Sequence, residues 1–395
     1  MDKPQYSTLY AALQAVPDPR QRRGQRYPWP LLLTLIAAAL ASGQQSVWGM
    51  AHWAALHAEA IIDLLGLEVK RVPSASTLYR AVQHVDGEAL DRCLGLYNAT
   101  LARLDPTVGC LTLATGQIVQ GQAVDGKVVR GASAHGQTVQ LVSLVRHGDG
   151  VTLRQVRVAS RRGEQTATPT LLARHDLQGT VTTFDAGLSH RPLAQQIIDQ
   201  QGHYLMLIKR NHRDLYEHLT LWFDPPSSLA WLPCDGPLPV RQAQTCDKGH
   251  GRVEVRTLLS RADIAPDLPW PHAAQVPRRT CRRHNLKTGQ TSVETTYGVT
   301  SLTAAEATPQ QLEQLWRAHW TIENRSHYVR DVTLGEDNGQ VHVGHAPEVL
   351  ASLRNALLAL LRAQGWSSIA AALRHYGSSV VKAFVLIGAC PAARL

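Results

Sequence analysis

From residue 30 to residue 41 the chain reads PLLLTLIAAALA, with Thr34 the one polar side chain among aliphatic ones. A run apolar on every side predicts a helix buried all round. It is shorter than the roughly 20 residues needed to cross a bilayer. The hydrophilic, charged start MDKPQYSTLY and the long basic stretch after it also fit a secretory signal poorly. Trp48, Met50, Trp53, Leu56, Ile61 and Leu64 then recur at helical spacing over 47–65. The segment PSASTLYR at 73–80 reads as a turn, a cap and a new helix. Residues 1–108 are therefore expected to form an all-helical module. Arg20, Arg22, Arg23 and Arg26 lie along one of its edges and are candidates for DNA contact, since small helical modules with a basic edge often bind DNA.

The period changes near residue 111. QIVQGQAV (117–124) is strand-like and meets Asp125-Gly126, a turn dipeptide. TVQLVSLV (138–145) and VTLRQVRV (151–158) predict two further strands, separated by the turn HGDG. Helical signals at 169–177 precede a short strand, 181–184, that ends at Asp185. Residues 194–201 are helical and YLMLI (204–208) is a buried strand. Three strands, a helix, a strand, a helix and a strand predict a mixed sheet with helices on its faces. This is the ribonuclease H-like order, expected here for a catalytic core over 109–212 and 304–395. Between these parts, 213–303 is rich in Pro and Gly and has strand candidates at 252–259 and 292–299, which predicts a β-rich insertion. Its basic cluster (Arg278, Arg279, Arg282, Arg283, Lys287) is read as a loop, solvated or on phosphate. A capping box at Thr308-Pro309-x-Gln311 predicts a helix through about Arg330, and 348–362 predicts an amphipathic one.

On the first of these helices, Leu315, Ile322 and Val329 form a core stripe. Trp316, Glu323 and Arg330 recur every seven positions beside it, flanked by His319, Trp320 and His327. A surface face more usually carries several Lys and Glu, although a polar face with a structural Trp is also compatible. His319, Glu323 and His327 at i, i+4 and i+8 match a zinc spacing, but the oxygen-rich partners elsewhere suit a hard cation better.

Composition narrows the chemistry. The 395 residues carry 40 Lys and Arg against 31 Asp and Glu, a formal charge of +9, which favours a polyanionic partner. With 44% hydrophobic and 18% charged residues, extended disorder is excluded. Six cysteines (Cys93, Cys110, Cys234, Cys246, Cys281, Cys390) form no CxxC pair, which excludes a disulfide scaffold or zinc finger and points to a reducing cytosol. Asp125 and Asp185, 60 residues apart, each follow a buried-looking strand, where carboxylates project into the ligand crevice of α/β sheets. With Glu323 they form a set able to hold two divalent ions for phosphoryl transfer. Each Asp is also readable as an ordinary turn or cap residue.

Taken together, VPDPRQRRGQRYPWPLLL, PSASTLYRAV, AVDGKVVRGA, TTFDAGLSH, YLMLIKRNH, GHGRVEVRTL and RAHWTIENRSHYVRDVTLGED resemble the ISAs-type insertion-sequence transposases, which include the H-repeat-associated proteins. The likeness covers nearly the whole length. It implies a DDE transposase with a ribonuclease H-like core, acids Asp125, Asp185 and Glu323, and two Mg²⁺ ions, with Mn²⁺ able to substitute. Relatives carry Tyr-x2-Arg-x3-Glu-x6-Lys around the last acid. The matching positions here are Trp316, His319, Glu323 and Arg330, so the spacing is kept and the residue types differ. The resemblance implies double-stranded DNA partners (terminal inverted repeats and target), no membrane, a homodimer at least on DNA, and a cytoplasmic, nucleoid-associated protein. Lys127, Lys209, Arg317 and Arg330 are candidates for phosphate or transition-state charge, His319 for a phosphate and Trp316 for stacking on a base. Two alternatives remain: a catalytically silent end-binding protein, and a metal-dependent nuclease that does not join strands.

Overall fold

The computed structural model describes residues 6–21, 25–134, 137–158, 163–224, 240–339 and 341–391. Six helices open the chain: α1 (Leu9–Gln14), α2 (Trp29–Ala41), α3 (Val47–Leu56), α4 (Ala58–Leu65), α5 (Ala75–His84) and α6 (Gly87–Ala102). Next come β1 (Cys110–Thr112), β2 (Ile118–Ala134), β3 (Gln137–Arg146), β4 (Thr152–Val158), α7 (Glu164–Ala173), β5 (Thr180–Phe184), α8 (Arg191–Asp199) and β6 (His203–Ile208). Helix α9 (Arg213–Phe223) leads to β7 (Arg241–Gly249), β8 (Arg252–Arg261), β9 (Val276–Asn285) and β10 (Thr291–Thr300). Helix α10 (Pro309–Ala318) is followed by two π-type segments, Ile322–His327 and Val329–Thr333, and then by α11 (Ala346–Ala363), α12 (Ile369–Gly377) and α13 (Val380–Ile387). The protein is a mixed α/β structure. Among the described residues no helix is long and apolar enough to cross a membrane.

The chain divides into two compact units. The first comprises Met1–Val108, Gly126–Ala167 and Ile322–Leu395, and the second Gly109–Asp125 and Thr168–Thr321. The chain thus passes from the second unit to the first inside β2, at the Asp125–Gly126 bond.

In the first unit α2 is buried at every position except Pro30, as its unbroken apolar run predicts. Helix α11 was expected to be amphipathic, yet Ala346–Leu361 is buried apart from Glu348. Its Ser352, Arg354 and Asn355 are buried because acids and amides of neighbouring elements satisfy them. The helix expected over 47–65 is two helices broken at His57, where φ −111° and ψ 22° leave the helical region.

In the second unit β2, β5 and β6 run parallel, and β10, β9, β8 and β7 continue from β6 as antiparallel neighbours. The strands expected as an insertion therefore extend the same sheet. The arginine cluster is not a loop: Arg278, Arg279, Arg282 and Arg283 lie on β9. Three of them meet acids. Arg279 pairs with Glu313 at 3.1 Å, Arg283 with Glu294 at 2.8 Å, and Arg278 with Asp224. Carboxylates on β10, on α10 and at the end of α9 neutralise what reads in sequence as bare positive charge.

Candidate functional site

Strand β2 does not turn at Asp125-Gly126. It runs straight through the dipeptide for 17 residues. The glycine has a different neighbour to accommodate: a Cβ at Gly126 would run into the carboxylate end of the flexible Glu164 side chain. Within the second unit, Val124 on β2 is the register partner of Phe184 on β5, and Phe184 is the partner of Met206 on β6. Asp125 and Asp185 therefore stand level, one residue past paired positions on adjacent parallel strands. Strand β5 ends at Phe184, as the sequence predicts. Asp185 then shapes the connection, its Oδ1 accepting the Leu188 amide at 3.0 Å and its carbonyl accepting the Ser189 hydroxyl at 2.7 Å.

Other expected residues lie in the same unit. Lys209 is exposed, directly after β6. His319 sits at the C-terminus of α10, where Nδ1 and the Thr183 hydroxyl share a hydrogen bond of 2.9 Å. Thr183 also donates to the Gln122 carbonyl at 3.1 Å, so His319 is tied to β2 and β5 close to the two aspartates. Arg317 pairs with Asp247 at 3.0 Å. Trp316 is only 2% exposed. Its indole packs against Gly298 of β10, with the Arg279 guanidinium over the ring. So little exposure leaves no room for a base to stack there in this arrangement.

The helix expected to reach Arg330 ends at Ala318. The capping box at its start is present, with Thr308 accepting the Gln311 amide. Beyond it the π-type turns rotate successive residues less than an α-helix does, so the seven-residue recurrence loses phase. In the first unit the Glu323 side chain is 53% exposed, whereas Arg330 is wholly buried. His327 Nδ1 lies 3.4 Å from the Glu323 carboxylate. That hydrogen bond, with the His327 and Lys127 charges, holds Glu323 below the usual carboxylate range against the opposing effect of burial. Burial pushes the His327 imidazole below its ordinary value, outweighing the opposing hydrogen bond to Glu323.

Arg330 and Lys127, both expected on phosphates, are instead part of a buried ion network. Arg330 Nη2 is 2.7 Å from Glu336 Oε2 and donates to Oε1 at 2.8 Å, while Nη1 donates to Gln155 at 3.2 Å and Asn355 at 3.4 Å. Lys127, 6% exposed, pairs with Asp331 and approaches Glu336 to 3.9 Å. Arg354 reaches Glu336 at 3.5 Å. Desolvation works against a charged Glu336, but Arg330 and Arg354 outweigh it and keep the carboxyl below its ordinary value. Sequence reading missed Glu336 and Asp331 altogether. The only signal was the dense run of charges in YVRDVTLGED, which does not say which partners meet.

Arg20 pairs with Asp18 at 2.9 Å and lies over the Trp29 ring, and Arg26 lies over Tyr27. Arg22, Arg23 and Cys234 fall outside the described residues. The remaining five cysteines form no disulfide with one another.

Residues 119–359 match the family described as "Transposase DDE domain", and residues 10–97 match one described as "DDE_Tnp_1-associated". Among relatives, "Putative transposase YncI" of Escherichia coli O157:H7 is 25% identical over 300 residues, covering 74% of this chain and 71% of that protein. "H repeat-associated putative transposase YhhI" of E. coli K12 is 22% identical over 358 residues, covering 89% and 90%. A solved structure, the piggyBac transposase synaptic complex with hairpin DNA, aligns with 94% of this chain and 77% of that one at TM-score 0.43 and 9% identity. With the DDE-domain match spanning more than half of its length, the chain belongs to the DDE transposases of insertion sequences.

Proposed function

We propose that the chain binds the terminal inverted repeats of an insertion sequence as double-stranded DNA, cuts a phosphodiester at the element's end and joins the freed 3′-OH to target DNA. The carboxylates of Asp125, Asp185 and Glu323 act together in this reading, within a ribonuclease H-like core. The observation that carries it is the register of β2 and β5, which sets Asp125, within β2, level with Asp185, the residue after the C-terminal end of β5. Glu323, exposed and ionised, is the third acid.

The donor chemistry fits Mg²⁺. Three carboxylates are hard oxygen ligands, and Mg²⁺ completes its octahedron with waters and substrate phosphates. Bound divalent ions would supply charge stabilisation at the attacking and leaving oxygens. The chain's own side chains do the rest. Thr183 and His319 brace β2 and β5 beside the aspartates. His327 orients the Glu323 carboxylate. Lys209 and Arg317 supply positive charge for DNA phosphates. In each step one P–O bond forms as another breaks, so no nucleotide is consumed. Because two ends must be joined, a homodimer on DNA is part of the proposal.

The test uses duplex DNA bearing the inverted repeats that flank the reading frame, with Mg²⁺. Asp125→Asn, Asp185→Asn and Glu323→Gln should each lower cutting on the order of 10²–10³-fold or more, the scale of losing one preorganised electrostatic partner. End binding should persist. Full activity in any variant removes that residue from the set. Pre-cut ends that are never joined would indicate a nuclease, and binding without cutting under any divalent ion a silent end-binding protein.

A further inference from the structure

Within the helical part of the first unit lies a cavity of about 600 Å³ whose polar lining is basic. Two chain segments far apart in sequence build it. Tyr27 is buried and its hydroxyl donates to the carbonyls of Arg71 at 3.0 Å and Val72 at 3.2 Å. That clamp sets the basic stretch carrying Arg20 and Arg26 against the loop carrying Arg71. Helix α5 forms another wall, presenting Ser74, Thr77, Arg80 and His84 along one side. Thus four guanidiniums converge on one concavity.

Its charge is unbalanced. Arg20 is neutralised by Asp18, but no lining residue is acidic, and among the described residues no carboxylate pairs with Arg26, Arg71 or Arg80. All three are exposed at the surface. Ser74, the residue before α5, makes no side-chain cap bond to the helix; its hydroxyl instead meets the Thr77 hydroxyl at 3.1 Å. The first turn of α5 thus offers two hydroxyls and the positive end of the helix dipole at the same wall as Arg80. Clustered guanidiniums, hydroxyls and a helix N-terminus are the donors that hold backbone phosphates.

We propose that this cavity grips the phosphodiester backbone of duplex DNA, with Arg26, Arg71 and Arg80 as phosphate contacts and Ser74 and Thr77 as hydroxyl donors. The inference rests on the proposed DNA reaction and adds a site distinct from the acids. It brings Arg71 and Arg80, which stood in no basic run of the sequence, into the DNA-contacting set.

The experiment is fluorescence anisotropy of the full chain on duplex DNA bearing the inverted repeats, without divalent ion, between 50 and 200 mM salt. Losing two phosphate contacts in Arg71→Ser/Arg80→Ser should flatten the slope of log K against log salt by about 1.8. The wild type's advantage should therefore grow about tenfold on going from 200 to 50 mM salt. Arg71→Lys/Arg80→Lys should keep most of the slope, because the charge stays. The surface control Arg213→Ser/Arg374→Ser should match the wild type. An unchanged slope in Arg71→Ser/Arg80→Ser, with cutting of end DNA intact, overturns the cavity's role and leaves the transposase reading standing. A wild-type chain that shows no salt-dependent DNA binding overturns both.

Discussion

Replacing Glu336 by glutamine keeps the shape of the side chain and removes one negative charge. Around it stand Arg330, with two nitrogens within 3.2 Å of Oε1, Arg354 at 3.5 Å, and Lys127 at 3.9 Å. Asp331 offsets Lys127. The two guanidiniums have no other carboxylate at hydrogen-bond distance among the described residues, and Arg330 and Arg354 are both buried. Breaking a buried ion pair by removing one partner costs about 3–5 kcal/mol, because the surviving charge is left without compensation. For a folding unit of 150–250 residues each kcal/mol moves the melting temperature by about 2–4 °C. The Glu336→Gln protein should therefore melt roughly 6–20 °C below the wild type.

The assay is thermal unfolding at pH 7, supported by urea denaturation. The double variant Glu336→Gln/Arg330→Gln should recover part of the loss, since it removes one of the stranded cations. The pH dependence follows from the lowered carboxyl of Glu336. Its stabilisation is fully present above the unfolded glutamate value of about 4.3 and disappears only as pH falls through the lower folded value. The gap between wild type and Glu336→Gln should thus be flat from pH 5 to 8 and close only in stronger acid. A gap below about 1 kcal/mol at pH 7, the scale of a surface pair, would refute the reading of Glu336 as the hub of this network.

Two further outcomes test other parts of the fold. Burial raises the Asp91 carboxyl to about 6, opposed by the Gln155 amide and the Arg154 charge. A folded value above the unfolded one means that ionisation costs stability as pH rises from about 4 to 6, so Asp91→Asn should stabilise the protein at pH 7 by up to about 3 kcal/mol, discounted because the side chain is not wholly enclosed, and should change nothing below pH 4; urea midpoints across pH decide it. A Cβ at Gly131 would meet the backbone carbonyls of Asp337 and Glu336 at 2.9 Å and clash with that of Gly339, whereas at Gly126 the obstacle is the side chain of Glu164. Gly131→Ala should therefore destabilise by about 1–3 kcal/mol or more, as overpacking does, and Gly126→Ala by less, with calorimetric melting as the readout.

Local signals carried the parts of the fold that local physics decides. The Thr308 capping box, the all-apolar α2 and the end of β5 at Phe184 are each set by a few adjacent residues, and the structure shows all three. Asp125-Gly126 misled for the same reason. The dipeptide favours a turn in isolation, but β2 continues as a strand through it to Ala134, and Gly126 faces Glu164, nearly 40 residues away. The β9 arginines look like a free cationic cluster until β8, β10 and α10 bring acids to them, a pairing set by sheet register and invisible along the chain. The seven-residue recurrence of Trp316, Glu323 and Arg330 was real in the sequence, but it assumed an unbroken α-helix. The π-type turns after Ala318 withdraw that assumption, and the three residues meet different environments.

Those turns also separate two ways of fixing an acid. Asp125 and Asp185 inherit their positions from a ladder of backbone hydrogen bonds, which single side-chain changes barely disturb. Glu323 has no such ladder. It lies on a segment whose backbone is held at one end by α10 and a few residues later by the Arg330 guanidinium, itself buried against Glu336. The position of Glu323 therefore depends on buried ion pairs, and damage to that network should blunt the proposed role of Glu323 while leaving the paired aspartates where the sheet puts them.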